Sequence, residues 1–266
     1  MLGVLFASIT AGYAGTYIVT RKMVFLSGGI THASFGGIGI GNFAGINPVA
    51  GAAVFGVLSA LGIEYLSINH KIREDSAIGI LWAFGMATGL IFIYLTPGYA
   101  PNLMSYLFGS ILTVTNADII ALGIMSVILC IYFGVFYRTI LYTSFDESFA
   151  RTYFPYVNVF KYITTALIAL TIVLNIRMAG VILVLSLLTL PPNIAMLFTR
   201  TYSGIILLSI LTGFAGAATG YIISYYAGIP VGATIIFTLV IIWIILKTIL
   251  LLKEYIQRRR NIDILS

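Results

Sequence analysis

The sequence predicts an all-α fold: a polytopic integral membrane helical bundle of about nine transmembrane helices with one short helix on the cytoplasmic side, built as a single domain over residues 1–266. Three observations predict it. Hydrophobic residues make up 60% of the chain against 8% charged, the mean hydropathy is +1.08, and the apolar residues gather into runs of membrane-crossing length. A soluble globular class is excluded. The net charge of +6 comes from cations at the ends of apolar runs rather than from a patch interleaved with aromatics, which excludes nucleic acid as a partner and leaves the lipid bilayer. The one cysteine, Cys130, rules out a disulfide framework or a cysteine-rich metal site and reads as a small buried hydrophobe.

Taken in order, the spans fall near residues 2–20, 24–44, 48–67, 77–96, 117–137, 160–176, 180–198, 203–226 and 231–252. The first lacks the basic start and clear cleavage site of a signal peptide and reads as a retained span. The second is the weakest by hydropathy. Short turns join the outer ends at Asn47-Pro48, at Thr96 to Pro101 and at Gly228-Ile229-Pro230. With the N-terminus outside, the spans alternate so that the C-terminus is cytoplasmic, and of the 14 Lys and Arg residues only Arg177 falls on the outer side. Residues 104–116 are too short to span and too apolar for a wet loop, and read as a partly embedded helix. Thr115 and Asp118, three residues apart, read as an outer helix cap. Glu64, one turn from the inner end of its span, is expected to snorkel toward Lys71 or Arg73, and Lys253 to Arg260 reads as an inside anchor at anionic lipid.

The longest inner connection, TILYTSFDESFARTYFPYVN, joins spans five and six. Ser144 and Glu147 have capping-box spacing, Phe145, Phe149 and Tyr153 recur at i, i+4 and i+8, and Pro155 ends the pattern. This predicts a short amphipathic helix whose aromatic stripe rests either on the bundle's own cytoplasmic surface or in a groove of a partner protein. No glycine in the chain is followed directly by lysine, so a Walker A phosphate loop is absent. If ATP drives this protein, another chain supplies it.

Span two carries His32 among glycine, alanine, serine and apolar residues. At helical spacing Gly29, Ala33, Gly37 and Gly41 form a ladder of small residues that lets a neighbour approach closely, with Gly28, His32 and Gly36 in the adjacent row. Ser27, Thr31, Ser34 and Asn42 add neutral oxygens nearby as pathway candidates. A buried neutral histidine bonded to a carbonyl is one reading. At membrane depth an ionisable side chain is costly, and proton relay or metal ligation is the other. Pro191-Pro192, followed by Asn193, must interrupt the backbone ladder of span seven and free carbonyls toward a neighbour or a cavity, giving a packing kink or a pathway-lining bend. No second ionisable group is placed to pair with His32 as nucleophile or base, so an intramembrane enzyme is disfavoured. A stand-alone secondary transporter or proton-coupled channel stays open at this point.

Three segments, MVFLSGGITHAS at 23–34, LMSYLFGSILTVTNAD at 103–118 and LSLLTLPPNIA at 185–195, resemble the permease subunits of bacterial metal-ion ABC importers, the zinc, manganese and iron group, as do the length and span count. The resemblance implies a transport subunit, not an enzyme, in the bacterial inner membrane. It implies a homodimer on two cytoplasmic ATPases that bind the ATP, fed by an extracytoplasmic metal-binding protein, with no resident cofactor and a divalent metal ion as cargo. By resemblance His32 is the intramembrane metal ligand, and the loop carrying Ser144, Phe145, Asp146, Glu147, Phe149, Arg151 and Tyr153 couples to the ATPase. Family members often place an aspartate four residues before the histidine; this chain has Gly28 there. A permease of the same architecture for a metal chelate or other small solute is an alternative that this departure makes less remote.

Overall fold

The structure, a computed structural model, describes residues 1–70, 72–97 and 114–265. It contains α1 (Leu2–Thr20), α2 (Val24–Phe43), α3 (Pro48–His70), α4 (Glu74–Leu95), α5 (Asn116–Val135), α6 (Tyr137–Phe145), α7 (Glu147–Tyr153), α8 (Val157–Ala195), α9 (Tyr202–Ala227) and α10 (Val231–Leu265), with no strand among the described residues. The expected helix at 104–116 lies outside the described residues up to position 113.

Seven of these helices are long and apolar enough to cross a membrane, where the hydropathy pattern suggests nine. The difference has two sources. α2 does not qualify because glycine, serine, threonine and histidine dilute its hydropathy, yet it is among the most enclosed helices, packed against α3, α4 and α8. A helix wrapped by protein does not need the apolar surface that lipid demands. α8 counts once although it is two helical segments joined at Gly180, whose φ of 77° and ψ of 162° break the helix at a conformation glycine adopts without strain.

Contacts along α1 show that the chain doubles back there. Asn175 Nδ2 donates to Thr10 Oγ1 at 3.0 Å, the Met178 sulfur sits 2.9 Å from where a Cβ on Gly3 would stand, and ten residues later Leu188 lies against Gly15. The contacts run to the start of α1 and then return. Spans six and seven are therefore a hairpin.

Small residues set the distances in the bundle. A Cβ on Gly37 would overlap the Gly51 backbone of α3, one on Gly39 the Gly89 backbone of α4, and one on Gly29 the Ile78 side chain of α4. Gly41 faces Pro48, and Ala33 faces Gly85. The small-residue ladder of α2 thus does admit close neighbours, but it divides them, Gly29 and Ala33 serving α4 and Gly37 and Gly41 serving α3. α8 continues through Pro191 and Pro192 to Ala195 rather than breaking. Proline at 192 cannot donate to the Leu188 carbonyl, and it is this carbonyl that Gly15 of α1 covers, so the freed group is turned toward a neighbouring helix. Cys130 is exposed on the side of α5, not buried.

The ends of the bundle differ. At one end Asp118 and Thr115 form the expected capping box, with Thr115 N donating to Asp118 Oδ2 at 2.9 Å, and the other Asp118 oxygen receives Arg177 Nε at 3.0 Å. Arg177, the cation that breaks the charge pattern, is there because it has this partner. At the opposite end Glu64 does not snorkel: it is 1% exposed and lies 3.7 Å from Arg21 and 3.4 Å from Lys161, and accepts a hydrogen bond from Thr165 at 2.8 Å. Arg21 also reaches Glu74 at 3.6 Å and Glu147 at 3.8 Å, and Lys161 donates to Glu147 at 2.9 Å. Residues of α1, α3, α4, α7 and α8 converge in this cluster, which no local sequence pattern brings together.

Two stability measurements test this packing. Gly37→Leu should destabilise the protein by ~3 kcal/mol, seen as a lowered melting temperature in detergent, while Gly134→Ala, where an added Cβ meets nothing within 4 Å, should not destabilise it. Glu64→Ala should cost ~3–5 kcal/mol by stranding buried cations, against under ~1 kcal/mol for Arg73→Ala, whose pair with Asp75 is 84% and 70% exposed.

Candidate metal path and coupling surface

His32 is half-buried on α2, and its imidazole stacks on the Trp82 indole of α4 with ring centroids 4.4 Å apart and planes 8° from parallel. One turn earlier, a Cβ on Gly28 would stand 3.4 Å from Trp82 Cζ3 and 3.7 Å from Leu185 Cδ2 of α8. The site is therefore walled by α2, α4 and the second half of α8. Beyond Leu185 on α8, Ser186 and Thr189 are partly exposed and Asn193 is exposed, at spacings that put them on one side of the helix. Asn193 Nδ2 donates to Thr189 O at 2.7 Å and leaves its own carbonyl oxygen available.

The other sequence candidates separate from His32. Ser27, Thr31 and Ser34 are buried and each donates to its own helix, to Val24 O at 2.7 Å, Ser27 O at 2.5 Å and Ile30 O at 2.7 Å. Ser34 packs against Gly56 of α3. Asn42 stands ten residues from His32, about 15 Å along the helix at 1.5 Å per residue, too far to share one ion with it, and its side-chain nitrogen is buried with no hydrogen-bond partner among the described residues. Pro191 and Pro192 are buried, Pro191 against Gly213 of α9. Among the described residues no group of three or more His, Cys, Asp or Glu side chains gathers to hold a metal. His32 offers one imidazole nitrogen as a strong donor, and further ligands to a dication must be oxygens, water or groups from outside the chain. Sequence reasoning missed Trp82, because the partner is contributed by another helix.

The second region is the α6–α7 corner. The capping box expected at Ser144 and Glu147 does not form. Ser144 belongs to the last turn of α6 and donates to Ile140 O at 2.6 Å, while Asp146 caps α7 by accepting from Phe149 N at 3.0 Å. The helix breaks at Asp146, so Phe145 does not continue the stripe of Phe149 and Tyr153. Glu147 is taken up instead by ion pairs, receiving Lys161 at 2.9 Å and Arg151 at 2.6 Å. Burial raises its proton affinity, but those two hydrogen bonds outweigh it and hold the carboxyl below the usual carboxylate range. Arg151 also donates to Asn158 at 2.7 Å. The polar side of α7 faces the bundle in this way, and Phe145, Phe149 and Tyr153 stay 62%, 43% and 65% exposed. Phe149 and Tyr153 pack on one another with ring centroids 4.9 Å apart, and Tyr142 joins them at 5.2 Å from Phe149.

Similarity to known proteins extends along nearly the whole chain. A "Probable metal transport system membrane protein" of Chlamydia pneumoniae is 36% identical over 88% of this chain and 82% of its own length. The manganese import system permease protein ScaB of Streptococcus gordonii is 30% identical over 94% of this chain and 90% of its own. Among solved structures, PsaBC from Streptococcus pneumoniae in complex with Fab contains a chain that superposes with a TM-score of 0.80 at 29% identity, covering 92% of this chain and 88% of that one. Residues 1–249 match the ABC 3 transport family, and the chain is a multi-pass membrane protein belonging to that family.

Proposed function

We propose that this chain is the permease subunit of an ATP-binding-cassette importer that moves a divalent transition metal ion, manganese foremost, into the cytoplasm, with ATP bound and hydrolysed by a separate subunit. The observation that carries the reading is the whole-length match to permeases of metal and manganese systems. The site supports it: His32 provides one borderline ligand, enough to hold Mn(II) or a similar ion briefly while allowing release on the other side. The end of the bundle holding Arg21, Lys161 and α7 faces the cytoplasm in this reading, with the N-terminus outside, in keeping with the positive-inside distribution. The outward row of Ser186, Thr189 and Asn193 is the side on which a second copy would enclose the path. An extracytoplasmic metal-binding protein delivers the ion at the Asp118–Arg177 end.

Two cytoplasmic ATPase subunits receive the exposed aromatics of α6 and α7. A short helix fixed to the membrane domain by ion pairs on one side and presenting Phe149 and Tyr153 on the other, with Phe145 exposed at the adjoining end of α6, suits a groove in a soluble partner. In cells carrying the cognate ATPase and binding protein, His32→Ala should reduce radiolabelled Mn(II) uptake to background while the ATPase still copurifies; wild-type uptake by the assembled variant would remove His32 from the path. Phe145→Asp or Phe149→Asp should weaken ATPase association by ~2 kcal/mol, roughly 30-fold, read by co-purification and titration of the detergent-solubilised subunits, with the melting temperature of the permease alone unchanged.

A further inference from the structure

We infer that Trp82 is a positioning residue for the ion at His32: the indole fixes the imidazole plane and stabilises the imidazole when it carries a cation. The inference rests on the reading of His32 as a ligand on the path. Its basis is the near-parallel stack, 4.4 Å between centroids and 8° between planes, on a frame that cannot easily shift. Trp82 stands between Ile78 and Gly85, the residues at which α4 touches α2 through Gly29 and Ala33. A Cβ on Gly85 would come within 2.5 Å of the Ala33 Cα, so α4 and α2 are in backbone contact just beyond the indole. Gly28 adjoins the indole: a methyl group there would already stand in van der Waals contact with Cζ3 at 3.4 Å.

Three consequences follow from elementary chemistry. The lone pair of an imidazole nitrogen lies in the ring plane, so an ion ligated by His32 approaches along the edge of the stack and not through the indole face. Rotation of the imidazole is restricted because one of its faces is covered, which reduces the ordering needed when the ion arrives. Coordination makes the imidazole electron-poor, and an aromatic face attracts an electron-poor partner, tryptophan more than phenylalanine. Trp82 therefore favours the loaded state over the empty one without touching the ion.

The test uses the full-length chain in lipid nanodiscs. A Trp243→Phe background leaves Trp82 as the sole tryptophan, since the chain has 2. Mn(II) binding is titrated by the electron paramagnetic resonance of the free ion, and Co(II) serves as the quencher of Trp82 emission. Trp82→Leu should weaken Mn(II) binding by about 2- to 30-fold, Trp82→Phe should recover most of the loss, and saturating Co(II) should quench Trp82 emission in the parent but not in His32→Ala. Unchanged Mn(II) affinity in Trp82→Leu, or emission indifferent to saturating Co(II), overturns the role of Trp82 while His32 keeps its own if His32→Ala abolishes binding. Should Trp82→Leu fail to fold, the quenching of the native indole and the affinity of Trp82→Phe decide. Parent-like Mn(II) binding by His32→Ala overturns the reading of His32 itself, and the positioning role with it.

Discussion

The arrangement depends first on how closely α2 meets α3 and α4. In lipid there is little gain from burying apolar side chains between helices, so association rests on van der Waals contact and on groups that let backbones touch. Glycines 29, 37, 39 and 41 supply that contact on α2, answered by Gly51 on α3 and Gly85 and Gly89 on α4. The same economy of side chains makes α2 too weakly apolar to register as a membrane span, although it lies inside the bundle. Histidine at position 32 is tolerated at this depth because protein, not hydrocarbon, surrounds most of it.

The bundle and its small surface helix are joined by charge rather than by an apolar face. An amphipathic helix usually hides its aromatic residues and shows its charges. α7 reverses this, with Glu147 gripped by Lys161 and Arg151 while Phe149 and Tyr153 stay outside. Because Arg21 and Lys161 also hold Glu64, a displacement of α7 is felt at once by α1, α3 and α8. Buried ion pairs contribute little net stability, but removing one member is costly, so such a cluster fixes relative position more than it adds strength.

Much of the fold was legible in the sequence because membrane spans are local: length, hydropathy and the placement of cations locate the long described helices to within a few residues, except that α10 runs on to Leu265, well past the predicted end near 252. The Thr115–Asp118 cap was readable for the same reason. Features set by distant partners were not. Glu64 looked close enough to water to snorkel, and only the approach of Arg21 and Lys161 from other helices buries it. Ser144 and Asp146 both fit the start of a helix; the chain chose Asp146 because α6 extends to Phe145, a continuation that the polar run TSFDES does not advertise. At the candidate site His32 stood out by type, whereas Trp82 had nothing but an apolar span around it. Glycine at 28, where the resembling family often carries aspartate, reads differently once the indole is seen to occupy the adjoining space.

The cluster at the α7 end has an electrical consequence. Arg21, Arg151 and Lys161 carry three formal positive charges, and Glu64, Glu74 and Glu147 carry three negative ones, so as a unit it is neutral. A rigid neutral body can be moved through a transmembrane potential with almost no electrical work, whereas each unpaired charge would exchange about 2.3 kcal/mol per 100 mV. Any displacement of this cluster relative to the membrane would therefore be almost independent of the voltage, because its six charges move together and cancel.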